Sequence, residues 1–238
     1  MANSSAGPAG DSVFTVTVDT NGIATLVGHK ADDASVSLVS QLSAGGNCPI
    51  YAPIYTNGVS GLFVGWLNFT NDPANNAAAD STLTWFDPAG ATPNLYAFGF
   101  TNQSVALASI HDASAPDQLT GISHYAVLTG SGLVLATNAI TIVNNVITSD
   151  PSAPYSLSLT VNPASGEIQG SFAYGGITNY IESVVLQDAN IARGYFMSAD
   201  GHMDGSIVLY ENYTVPSGPY PIVFTGITNV TMLEKGSP

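Results

Sequence analysis

The apolar residues of this chain recur at every second position. Val13-Phe-Thr-Val-Thr-Val18 and Tyr155-Ser-Leu-Ser-Leu-Thr-Val161 alternate hydrophobic side chains with Ser or Thr, the pattern of a strand with one face on a core and the other in water. The same reading covers Ala34 to Leu42, Gly61 to Phe69, Ser81 to Phe86, Val105 to Ile110, Tyr125 to Leu128 and Leu133 to Val143. It continues in Ile168 to Tyr174, Ile181 to Leu186, Ser206 to Tyr210 and Ile222 to Val230. Turn-forming clusters separate the runs: Asp19-Thr-Asn-Gly22, Thr56-Asn-Gly58, Asp87-Pro-Ala-Gly90, Asn162-Pro-Ala-Ser-Gly166 and Asp200-Gly201. No segment sustains a 3.6-residue apolar stripe, so few and short helices are expected. The predicted class is all-β: antiparallel meanders forming a barrel, two stacked small barrels or a sandwich.

An internal repeat organises these strands. A shift of 144 residues lays Tyr51 on Tyr195, Gly61 on Gly205, Val64 on Val208, Asn68 on Asn212 and Thr70 on Thr214 without a gap. Trp66 then meets Tyr210, Phe69 meets Tyr213, and Gly22 meets Gly166 in the first turn of each half. The expected organisation is an N-terminal segment 1–11, flexible or bound by a partner, a repeat unit 12–70, intervening strands and loops 71–154, a second repeat unit 155–214, and a C-terminal strand and tail 215–238. Two such meanders would be related by a pseudo-twofold axis, and closure would protect apolar edges.

Charge narrows the partners. The 238 residues hold 17 acids against Lys30, Arg193 and Lys235, a formal net charge of -14, so neither nucleic acid nor an anionic membrane surface is an expected partner. Charged residues are 8% of the chain and hydrophobic ones 45%, which is no disordered acidic tail. No apolar run reaches the ~18 residues of a spanning helix, and the first ten residues have neither a basic nor an apolar signal-peptide region. The single cysteine, Cys48, reads as a small buried apolar residue.

The runs Gly61-Leu-Phe-Val-Gly-Trp-Leu-Asn-Phe69, Leu83-Thr-Trp-Phe-Asp-Pro88 and Leu95-Tyr-Ala-Phe-Gly-Phe-Thr-Asn102 occur in this order. They are followed by Gly166-Glu-Ile-Gln-Gly-Ser-Phe172, Val184-Val-Leu-Gln187, Gly194-Tyr-Phe196 and Gly205-Ser-Ile-Val-Leu209. Together, over roughly 12–210, they resemble an uncharacterised β-rich domain found, often near the C-terminus, in large secreted and surface proteins of Verrucomicrobia and related bacteria. The resemblance implies an extracellular, non-enzymatic module and carries over no catalytic residue. Arg193 departs from it, standing where a small residue is expected before Gly-Tyr-Phe.

Chemistry is sparse. No G-x-S-x-G elbow occurs, and His29, His111, His124 and His202 show no zinc spacing, so each reads as a strand-end or loop residue. Most aspartates lie in turns, where they cap backbone amides. Asp200-Gly-His-Met-Asp204 is one acidic loop, and Asp72 and Asp80 bracket another; oxygen-rich loops of this kind suit Ca²⁺, but neither matches an EF-hand or a nonapeptide repeat, so the expectation is no cofactor, with calcium at these loops as the alternative. Asn3, Asn68, Asn102, Asn212 and Asn229 head N-x-[ST] sequons, which would carry glycans in a eukaryotic secretory protein. In a bacterial chain rich in Asn and Thr they arise by chance, and Asn68 and Asn212 read as a paired strand-end motif. Trp66, Trp85, Tyr210 and Tyr213 are the candidates for a sugar-stacking platform. Because both faces of the Trp66 strand are apolar, core or a subunit contact is the favoured assignment for the tryptophans.

The first expectation is therefore a non-enzymatic extracellular structural or adhesive β protein at the cell surface, self-assembling or bound to other surface proteins by edge pairing or apolar faces. The second is a carbohydrate-binding module using exposed aromatics. The third is a hydrolase with carboxylates around Asp200 and Asp204.

Overall fold

A computed structural model describes residues 7–55, 59–69, 81–92, 95–115, 118–119, 124–130, 132–133 and 135–211, with the backbone of 222–225 and 232–236. The first meander comprises β1 (Val13–Val18), β2 (Ile23–His29), β3 (Ser35–Gln41), β4 (Asn47–Ile54), β5 (Gly61–Asn68), β6 (Thr82–Asp87) and β7 (Phe100–Ser109). The second comprises β8 (His124–Gly130), β9 (Ala136–Val143), β10 (Val146–Ser149), β11 (Ser158–Val161), β12 (Glu167–Tyr174), β13 (Ile177–Leu186), β14 (Ile191–Ser198) and β15 (Asp204–Glu211). Two C-terminal strands, β16 (Ile222–Thr225) and β17 (Met232–Gly236), follow. Among the described residues the sole helical element is a 3-10 turn at Gln187–Ala189.

The second meander closes. Each strand from β8 to β15 pairs antiparallel with the next, and β15 returns to β8. Leu128, Ile147, Leu159, Phe172, Phe196 and Leu209 fill its interior, while Thr141, Thr148, Ser158, Thr160 and Gln169 face outward. Apolar inside and polar outside is the reverse of a barrel that spans a membrane around a wet lumen. No helix among the described residues is long and apolar enough to cross a membrane.

The repeat is visible strand by strand. Both ends of β14 lie 144 residues beyond the matching ends of β4, and β1, β2, β3 and β5 correspond to β11, β12, β13 and β15. Gly22 and Gly166 occupy equivalent turns at φ +75° and +73°, a region in which a Cβ would be strained.

The first copy does not close by pairing, which corrects the two-barrel alternative. Sheets β3-β2-β1 and β7-β6-β5-β4 are joined by β16, parallel to both β1 and β7, and by β17. The ends β3 and β4 lie alongside each other without a ladder. The main-chain edge of β4 that faces β3 carries Pro49 and Pro53, which have no N–H to donate, and Ser40 Oγ donates to the Pro49 carbonyl at 2.7 Å instead. The segment between the repeats is also divided: β6 and β7 extend the first unit and β8 to β10 complete the barrel.

One wall serves both units. Ser183–Leu186 of β13 and Asp204–Tyr210 of β15 are buried on both faces. Val185, Phe196 and Leu209 point into the barrel, while Val184, Leu186 and Tyr195 join the first unit's core with Phe14, Phe63 and Trp85. The N-terminal segment lies across the same wall: Ala9 N–H donates to Asp204 Oδ2 at 3.0 Å and Asp11 N–H to the Gly194 carbonyl at 3.2 Å. Arg193, unexpected on the sequence, pairs with the fully buried Asp11 at 3.0 Å. Residues 7–11 are thus held by the chain's own barrel rather than left flexible, and 1–6 lie outside the described residues.

The first unit encloses a charged group. Lys30 is fully buried with Nζ 3.3 Å above the Trp85 ring and 4.2 Å from that of Phe63. Trp85 Nε1 donates to Tyr55 Oη at 3.1 Å, and Tyr55 donates to Asp32. Asp87 accepts from Thr92 at 2.5 Å. Burial pushes the Asp87 carboxyl up to about 6; the Asp32 charge adds to this, while Thr92 and Lys30 oppose it.

Folding therefore takes up a proton at Asp87 between its ordinary value near ~4 and about 6. The resulting stabilisation is complete in acid below that window and is lost as pH rises through it. The Asp87→Asn chain, followed by its thermal midpoint across pH 4 to 7, is expected to show a shallower decline than the wild type; equal slopes would remove Asp87 as the source.

Candidate functional site

Two places on the described surface gather chemistry, and neither matches the full set of residues singled out on the sequence. Of the aromatic candidates, Trp85 and Tyr210 are buried at 2% and 5% exposure, which removes them as sugar platforms, and Tyr213 lies outside the described residues. Trp66 goes the other way. It is 57% exposed, correcting its favoured assignment to core. The reason is positional: β5 turns Phe63 and Leu67 inward, and its outward residues Leu62, Val64 and Trp66 are left uncovered or half-covered. The equivalent outward residues of β15, Ser206, Val208 and Tyr210, lie in the buried wall.

Cross-strand register builds the face around Trp66. One row runs Pro49, Trp66, Thr82, Val105, the next Tyr51, Val64, Thr84, Gln103, and the third Pro53, Leu62, Phe86, Thr101. Tyr51 is 66% exposed and Phe86 43%. Tyr51 and Trp66 are diagonal neighbours on one face, the separation at which aromatic side chains reach each other across an antiparallel pair. Thr82, Thr84 and Gln103 set hydroxyls and an amide beside the rings. Tyr51 escaped sequence reasoning because Pro49 and Pro53 mask the alternation of β4, although the repeat already marked it; Phe86 lies in a run read as a strand, and its outward direction follows from the burial of its neighbours Trp85 and Asp87.

The second place is a cleft of about 690 Å³ where the first unit meets the barrel, lined by His29, Asp33, Gln169, Tyr180, Glu182 and Tyr195 among others. His29 Nδ1 lies 2.9 Å from Glu182 Oε2 and 3.3 Å from Asp33 Oδ1. The Tyr195 hydroxyl donates to the same two oxygens, at 2.9 Å to Asp33 and 3.0 Å to Glu182. The hydrogen bonds that His29 donates to Asp33 and then to Glu182 raise the imidazolium to about 10, while His29 holds Asp33 below the usual carboxylate range. Burial, aided by both carboxylates, drives the Tyr195 phenol far above its ordinary value. On the sequence the histidines read as scattered strand-end residues, since His29 and Glu182 stand 153 residues apart and only the fold brings them together.

The acidic loop at Asp200 is not a shared calcium cradle. Asp200 Oδ1 accepts from Ser198 Oγ and the His202 N–H, whereas Asp204 Oδ2 accepts from Ala9 N–H and Tyr96 Oη on the buried wall. Asp72 and Asp80 lie outside the described residues. Of the sequons, Asn68 and Asn102 are half-buried in β5 and β7, and Asn3, Asn212 and Asn229 fall outside the described residues. Cys48 is buried, as expected. No family model, curated protein or solved structure matches the chain.

With two tryptophans in the chain, Trp66 exposed and Trp85 buried, acrylamide is expected to quench part of the emission in the wild type and almost none after Trp66→Phe. Full quenching of the remaining emission in the variant would contradict the burial of Trp85.

Proposed function

We propose that the protein is a non-enzymatic adhesive module that acts outside the cell by binding a neutral glycan on the outer face of β4, β5 and β6. The observation that carries this reading is the adjacency of two solvent-facing rings, Trp66 and Tyr51, on one sheet face. A sugar ring has an apolar C–H face and a polar rim, so it fits flat rings flanked by Thr82, Thr84 and Gln103. The net charge of -14 disfavours acidic or sulfated glycans. The resemblance to a domain of surface proteins, and the scarcity of Lys and Arg that limits tryptic cleavage, favour an extracellular setting.

Edge pairing is a poor route to assembly here. The barrel leaves no edge, and the terminal strands of the first unit abut each other, one of them interrupted by Pro49 and Pro53.

A glycan array followed by titration calorimetry tests the reading. The wild type is expected to bind a neutral glycan with little salt dependence, and Trp66→Ala or Tyr51→Ala to weaken it by roughly tenfold, about 1.4 kcal/mol each. An array without hits would overturn it. So would light scattering that shows an oligomer dissolving in Trp66→Ala, which would make a second copy of the chain the occupant of this face.

A further inference from the structure

We propose that the cleft between the two units binds one divalent transition ion of the zinc class, held by His29 Nδ1, Asp33 Oδ1 and Glu182 Oε2, and that this ion clasps the first unit to the barrel. His29 and Asp33 flank the β2–β3 turn of the first unit, and Glu182 lies on the outer face of β13. All three ligand atoms lie within 4.8 Å of one another. The edges from Nδ1 are 2.9 and 3.3 Å; zinc bonds of about 2.0–2.2 Å at tetrahedral angles place neighbouring ligand atoms ~3.3–3.6 Å apart, so the Asp33 edge already fits and the Glu182 edge opens by about half an ångström. Replacing a proton-mediated cluster by an ion therefore needs little movement.

The donor set selects the ion. One imidazole nitrogen with two carboxylate oxygens suits zinc and its first-row neighbours, whereas calcium and magnesium take oxygen alone. Zn²⁺ would bring two positive charges to a place where two carboxylates already face each other in a chain of net charge -14. Tyr195, buried at 2% exposure, donates its hydroxyl to both carboxylate oxygens and fixes their positions, as outer partners of metal ligands do. Ser35 Oγ stands 3.5 Å from His29 Nε2, on the far side of the ring. The open cleft in front leaves room for water to complete the sphere. The site is independent of the Trp66 face, so each reading can fail alone.

Calorimetry with zinc chloride on the full chain, in excess magnesium to occupy loosely binding surface carboxylates, is the test. One zinc per chain is expected, with a zinc-dependent rise in the thermal midpoint. His29→Gln and Glu182→Gln are expected to abolish both effects. Tyr195→Phe is expected to weaken binding by about 10–100-fold, and Asp200→Asn to bind as the wild type does, circular dichroism confirming the strands of each variant. For the unaltered chain, NMR of the imidazoles is expected to show zinc shifting one of the four histidines. Absence of stoichiometric binding in magnesium, unchanged binding by His29→Gln, or a zinc shift at another histidine would each overturn the site.

Discussion

The structure depends on a sheet wall that is buried twice. Strands β13, β14 and β15 form one side of the closed barrel, and their outer surface supplies Val184, Leu186 and Tyr195 to the core of the first unit. A strand buried on both faces needs apolar or fully bonded residues at consecutive positions, and Val184-Val185-Leu186 and Ile207-Val208-Leu209 answer that need. The open first unit has no equivalent closure of its own. Its terminal strands meet without a ladder at Pro49 and Pro53, so its apolar interior is completed by the neighbouring barrel.

The wall also explains why two copies of one strand pattern behave differently. On β15 the outward Asp204 is held by the Ala9 N–H and the Tyr96 hydroxyl, and Ser206, Val208 and Tyr210 are buried. On β5 the same positions carry Leu62 and Val64, half-buried, and Trp66, exposed. Unequal covering turns one copy of the outer face into internal packing and leaves the other exposed. The cleft with His29, Asp33 and Glu182 arises at the other margin of this junction, where polar residues of both units meet after the apolar ones have been buried.

Much of the fold was legible along the chain because alternation reports burial directly. The Val13 to Val18 run is a strand with the expected ends, and the 144-residue shift matched β1 to β5 with β11 to β15. β4 escaped notice because its prolines break the pattern while still sitting in extended backbone at a seam. Pattern could not say which copy of the outer face would be covered, since Trp66 and Tyr210 look alike until packing separates them. Nor could it reveal that Lys30 is buried against Trp85, because a lysine beside a turn ordinarily reads as solvated. The cleft cluster joins residues from both halves, and no local spacing encodes it.

If the two units share their core as described, neither is stable without the other. Differential scanning calorimetry of the intact chain measures this directly, by comparing the calorimetric with the van't Hoff enthalpy. A single transition in which the two enthalpies agree is the expected result. Two resolved transitions, one for each unit, would contradict the shared wall.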